Sequence, residues 1–91
     1  MKVKAHVIVS GMVQGVYFRL KTRNKATQHG VTGWVRNLPN GKVEAVFEGE
    51  KADVVHLINF CRKGPAGARV QDLNIKCEEY KGDFRDFKVI Y

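Results

Sequence analysis

Apolar and polar residues alternate along the first stretch of the chain. Val3, Ala5, Val7 and Val9 face Lys4, His6, Ile8 and Ser10, a period of two that predicts a strand over Val3 to Ser10. After a loop containing Gly11 and Gly15, end signals rather than periodicity predict a helix from about Phe18 to His29. Gly30 supplies its stop, and Lys25 and His29 sit near its negative end. Within it Leu20 and Ala26 carry little hydrophobic signal. A second strand is predicted over Val31 to Leu38, followed by the turn chemistry of Pro39-Asn40-Gly41. From Lys42 to Gly49 the chain alternates again, Val43, Ala45 and Phe47 against Lys42, Glu44 and Glu48. Two alternating runs around Asn-Gly predict a β-hairpin.

Between Ala52 and Lys63 the period changes. Val54, Leu57, Ile58 and Cys61 take the i, i+3, i+4, i+7 positions of an amphipathic helix, and Gly64-Pro65 ends it. A fourth strand is expected from about Val70 to Tyr80, with Leu73, Ile75 and Cys77 on its apolar side, and a fifth from Phe87 to Tyr91. The order β-α-β-β-α-β plus a terminal strand predicts an α+β fold of ferredoxin-like split βαβ type. Its sheet is mainly antiparallel, with both helices on one face. In that arrangement the first two strands are parallel, with the third between them. The glycine loop, the start of the first helix and Asn37 then gather at one sheet edge.

Composition narrows the setting. The 91 residues suit one domain spanning 1–91, and 44% apolar with 27% charged residues is an ordinary globular balance. No apolar run approaches the ~20 residues of a membrane span. Lys4 and His6 interrupt any secretory h-region, so a cytoplasmic location with no membrane partner is expected. Cys61 and Cys77 fall on predicted apolar faces and are expected in the core. Pairing them would need Cα atoms within about 7 Å. Structural zinc lacks its four ligands, and His6, His29 and His56 fall on separate elements, so no metal is expected. Sixteen Lys and Arg against nine Asp and Glu give a charge of +7, which favours anionic partners.

The loop is the chemical centre of this reading. From Gly11 to Arg19 no proline removes an N–H, and glycines let successive N–H groups turn inward. The following helix start adds unpaired donors and a partial positive charge, a combination that holds phosphate-sized anions. Arg19 adds a planar fork for two phosphate oxygens. Locally, the same residues serve equally well as a strand-to-helix turn with a solvated arginine, since neither nucleotide-binding fingerprint is present. Asn37, just before a turn, is equally commonplace.

Longer stretches are more specific. Gly11-Met-Val-Gln-Gly-Val-Tyr-Phe-Arg19 resembles the acylphosphatase signature G-x-V-Q-G-V-x-F-R. Gly33-Trp-Val-Arg-Asn37 followed by Gly41-Lys-Val-Glu44 resembles its second, G-W-V-x-N then G-x-V-E. Ala26 and Gly30-Val31 sit where the family has A-x-x-x-G-V. The resemblance runs from the first strand to the end of the chain. It implies hydrolysis of a small acyl phosphate to a carboxylate and inorganic phosphate, with no cofactor. It places the phosphate on the N–H groups of Gln14, Gly15, Val16, Tyr17, Phe18 and Arg19. The Arg19 guanidinium would neutralise it and the Asn37 amide would hold the attacking water. A monomer is expected, with loose selectivity for the acyl group. A non-catalytic accessory domain, as found within larger carbamoyl-transferring proteins, shares this fold, but a free-standing enzyme is favoured by a chain running from Met1 to the last strand. RNA-binding domains share the fold too. They need exposed aromatics on the two central strands; strand one has none and strand three only Phe47, so no nucleic-acid partner is expected.

Overall fold

The computed structural model describes residues 1–91. Strands β1 (Lys2–Met12), β2 (Thr32–Asn37), β3 (Val43–Glu50), β4 (Arg69–Glu78) and β5 (Phe87–Ile90) form one sheet, with helices α1 (Phe18–Gln28) and α2 (Lys51–Lys63). The sheet order is β4-β1-β3-β2-β5, antiparallel except for the β2–β5 pair. Both helices pack on one face, α1 over β2 and β5, α2 over β1, β3 and β4. The predicted α+β architecture and element order are therefore those of the molecule.

The period-two pattern of β1 and β3 sets which face is covered. Ala5, Val7 and Val9 pair across the ladder with Phe47, Ala45 and Val43, and all six are buried beneath the helices. From α2 come Val54, Leu57 and Cys61, the positions its period of 3.6 selects. The buried stripe of α1 is Phe18, Thr22 and Ala26, spaced by four. Thr22 is accommodated because its hydroxyl donates to Phe18 O at 2.7 Å, which satisfies the buried polar group. A stripe of one aromatic, one threonine and one alanine explains why the hydrophobic signal of this helix is weak.

Strand β1 runs two residues past its expected end, through a register shift between Ser10 and Gly11. Gly11 is required at this bulge: a Cβ there would lie 2.1 Å from Arg69 O. Two expectations fail in the sheet. Cys61 is buried, but Cys77 is exposed, and both are free thiols. Cys77 and Ile75 do lie on the helix side, opposite Ala5 and Val7. As an edge strand, however, β4 is covered only near its start, where Val70 and Leu73 pack partly against the core. Glu48, expected on a solvated face, is wholly buried. The cause is topological. Residues 79–86 must carry the chain from one outer strand to the other, four strand spacings or roughly 19 Å. They lie over one end of the open face, and the N–H groups of Lys81, Gly82 and Asp83 donate to the Glu48 carboxylate at 3.0, 3.3 and 3.2 Å.

The three histidines lie on separate elements, as expected, yet two of them come together. His29 and His56 meet where α1 packs on α2, with ring centroids 4.2 Å apart, and His29 Nδ1 lies 3.6 Å from Asp53. His6 instead joins Glu44 on the open face at 2.6 Å. No group of three or more His, Cys, Asp or Glu side chains is placed to hold a metal.

Candidate active site

The ends of β1 and β2 lie together because both strands pair antiparallel with β3. The loop after β1 is fastened at four points. Val13 is fully buried, Val16 packs partly against the core, and the Phe18 side chain closes the loop from below. Gln14 provides the fourth tie: its Nε2 donates to Leu38 O at 2.8 Å and to Lys42 O at 2.9 Å. Its side chain thus clamps the loop to the β2–β3 turn, immediately beside Asn37.

Between these ties the backbone is twisted open. Gly15 has φ 76° with nothing near a notional Cβ, so conformation alone selects glycine there. Tyr17 adopts the left-handed region at φ 60°, ψ 24°, directly before helical Phe18. Such a left-to-right alternation aims neighbouring N–H groups toward one point. From Gln14 through Leu20 no backbone N–H donates to a protein acceptor; the first helical donor is Lys21, to Tyr17 O at 3.0 Å. The helix start has no capping side chain and no acid in its first turn. Its partial positive charge is left for an outside anion.

Arg19 projects from the first turn of α1 toward β5. Its Nη1 donates to Ile90 O at 3.4 Å, and its guanidinium carbon lies 4.7 Å from the centroid of the Tyr91 ring. Asn37 ends β2 on the helix side of the sheet, opposite Val43. Its Oδ1 is buried and has no hydrogen-bond partner. An unpaired buried carbonyl is costly, typically 1–3 kcal/mol, and rare enough to call for an explanation.

A cleft of about 430 Å³ joins these groups, lined by Val13, Gly15, Tyr17, Phe18, Arg19, Leu20, Asn37 and Tyr91. Of the residues expected from sequence, Gly15, Tyr17, Phe18, Arg19 and Asn37 border it. Gln14 and Val16 stand behind the loop wall. Tyr91 was not anticipated. Strand β5 brings it there by pairing in parallel with β2, Ile90 opposite Arg36. Nothing in the local pattern near Tyr91 marks a site, and only the parallel pairing could have found it.

Comparison with known proteins shows the family. The acylphosphatase family model matches residues 5–89. The chain belongs to the acylphosphatase family. It is 53% identical to an acylphosphatase of Syntrophus aciditrophicus, covering 97% of this chain and 92% of the relative. It is 50% identical to that of Geotalea uraniireducens over the full length of both. The solved structure of an acylphosphatase from Coxiella burnetii superposes with a TM-score of 0.92 at 40% identity, covering 98% of this chain and 93% of the other. The activity is thus that of a hydrolase acting on acyl phosphates, and a purely RNA-binding or accessory role is not favoured.

Proposed function

We propose that this chain hydrolyses small acyl phosphates by holding the phosphoryl group on the Gln14–Arg19 N–H groups and the Arg19 guanidinium, while Asn37 positions the water. The observation that carries the reading is the orphaned Asn37 Oδ1, buried in the same cleft as Arg19. A carbonyl oxygen accepts a hydrogen bond from water and so fixes the direction of the water's lone pair. The water oxygen bonds to phosphorus as the bond from phosphorus to the acyl oxygen breaks. That oxygen leaves with the electron pair as a carboxylate, and the water's proton passes to a phosphoryl oxygen or to solvent.

Little else is required. A carboxylate departs without protonation, and a loose transition state makes alignment and charge stabilisation more important than a strong base. Arg19 and the open N–H groups supply the positive charge, and we assign no role to a metal or cofactor. Contact of Arg19 with Tyr91 and Ile90 O restrains the guanidinium, so less freedom is lost when it grips phosphate. Two free cysteines, and no helix long and apolar enough to cross a membrane, support a cytoplasmic setting. We also infer a monomer that acts on small molecules and not on nucleic acid, which sedimentation and an RNA titration at physiological salt would check.

The deciding experiment is benzoyl phosphate hydrolysis with EDTA present. Asn37→Ala should lose about a hundredfold in kcat, on the order of 3 kcal/mol, while inorganic phosphate still inhibits it and protects its fold. Arg19→Gln should lose both turnover and phosphate inhibition. Near-normal kcat in Asn37→Ala would refute the assignment of the water to Asn37.

A further inference from the structure

The charges of this chain are segregated in a way that the reaction alone does not explain. The eight lysines and arginines at positions 2 to 42 precede the first acidic residue, Glu44. In space the acids collect at the far end of the sheet from the cleft. Glu48, Glu50 and Asp53 lie where β3 passes into α2, Glu78 and Glu79 where β4 ends, and Asp83 and Asp86 in the crossing segment before β5. Of the other two, Glu44 is already engaged by His6 and Arg36, and Asp72 lies on β4 opposite Ser10.

Helix α1 concentrates the opposite sign beside the cleft. It carries Arg19, Lys21, Arg23 and Lys25 and no acid. None of these forms an ion pair; the pairs of the molecule involve the amino terminus, Lys4, His6, His29 and Arg36. Arg19 and Arg23, and Lys21 and Lys25, are like charges four residues apart, an arrangement that disfavours the helix. Arg19 is occupied in the cleft. The other three are not: Lys21 is exposed, Arg23 reaches only Asn24 Oδ1, and Lys25 lies over the Phe60 ring. At 1.5 Å per residue they stand roughly 6, 9 and 12 Å along the helix from Tyr17.

We infer that Lys21, Arg23 and Lys25 form an electrostatic guide that draws dianionic acyl phosphates to the Arg19–Asn37 cleft, setting capture and leaving the chemical step alone. The inference rests on the proposed phosphate site. An acyl phosphate carries about two negative charges at neutral pH. Three added charges within about 15 Å of the cleft mouth raise its local concentration roughly tenfold at 10 mM salt, where screening acts over ~30 Å, and about twofold at 150 mM, where it acts over ~8 Å. The acidic far end strengthens the effect by orienting the approach toward the basic end.

The test compares two triple variants of equal charge change. Lys21→Gln, Arg23→Gln, Lys25→Gln keeps good helix formers on α1. Lys2→Gln, Lys51→Gln, Lys81→Gln removes three exposed cations from the acidic end. Benzoyl phosphate kinetics from 10 to 300 mM salt should show kcat within twofold of wild type in both. The α1 variant alone should lose about tenfold in kcat/KM at 10 mM, with a flattened salt dependence. Equal losses in the two variants, or an α1 variant with the wild-type salt dependence, would overturn the guide. Inorganic phosphate binding by calorimetry gives a readout independent of turnover. If wild-type protein bound phosphate with the expected salt dependence but hydrolysed nothing, the catalytic reading would fail while the guide stood.

Discussion

Replacing Gln14 by alanine removes one side chain that lies outside the cleft, so it separates positioning from contact. The Nε2 group of Gln14 makes two hydrogen bonds, to Leu38 O and Lys42 O. Neither carbonyl is left bare by the substitution. Leu38 O still accepts from Gly41 N at 3.1 Å, and Lys42 O from Leu38 N at 2.8 Å. The stability cost is therefore the net worth of two bonds, one of them exposed, or about 1–2 kcal/mol, with no added penalty for an unpaired group. The catalytic cost follows from what the bonds join. One end of the clamp is the N–H loop, the other is the turn after Asn37. A displacement of about 1 Å between phosphoryl group and water lowers rate by about a hundredfold. Gln14→Ala should lose between about 10- and 100-fold in kcat on benzoyl phosphate, while the inhibition constant of inorganic phosphate changes less, since the loop keeps its own donors. Gln14→Glu is the sharper variant. At pH 7 it presents a carboxylate to two carbonyl oxygens and should be worse than alanine in both kcat and urea midpoint. If Gln14→Ala kept wild-type kcat, or if glutamate were better tolerated than alanine, the clamp would have no part in placing the water.

Other groups yield independent tests. Burial raises the Glu44 carboxyl, but hydrogen bonds and charge from His6 and Arg36 outweigh it and leave the group below its usual 4.5. A depressed carboxyl stabilises the fold above its unfolded value and loses that contribution as pH falls through the folded value. Glu44→Gln should therefore lower the urea midpoint at pH 7 and converge on wild type as the pH falls below 4.5 and the carboxyl is protonated; a constant difference from pH 7 down through that fall would refute the coupling. Burial pushes the Cys61 thiol up to about 12, against a smaller opposing effect of Thr22, whereas Cys77 is exposed. A thiol reagent at pH 8 should modify one cysteine rapidly in the native protein and the second only after denaturation, with Cys77→Ser abolishing the rapid phase.

The parts of the fold that were legible in the sequence are those where one residue's surroundings are set by its near neighbours. The Asn-Gly hairpin, the period of α2 and the Gly30 stop are local. Their physical causes, turn conformation, helical spacing and a left-handed residue, operate within a few positions. The loop of open N–H groups was legible for the same reason, since an unbroken series of N–H groups before a helix start can be read in order. What escaped depends on distant chain. Glu48 has the pattern of a solvated strand residue and is buried only because residues 79–86 cross the sheet. Cys77 has the pattern of a core residue and is exposed because its strand is at the edge. Gln14 was expected to contribute its backbone, and its side chain turns out to reach carbonyls 24 and 28 positions away. Tyr91 becomes part of the cleft only through parallel pairing, which leaves no mark on a four-residue strand.

The placement of β5 has a consequence for how the molecule comes to be active. The first strand of the chain lies inside the sheet, while the last is at its edge and reaches the site through Ile90 O, which accepts from Arg19, and through Tyr91 just beyond it, which lines the cleft. A globule could form its hairpin, both helices and most of its interior with Arg19 still unrestrained. Pairing strands this far apart in sequence is slow because the loop-closure entropy is paid before the contacts reward it. If Arg19 acts as proposed, turnover requires β5 in place as well as a formed interior, because Ile90 O and the Tyr91 ring are what hold its guanidinium.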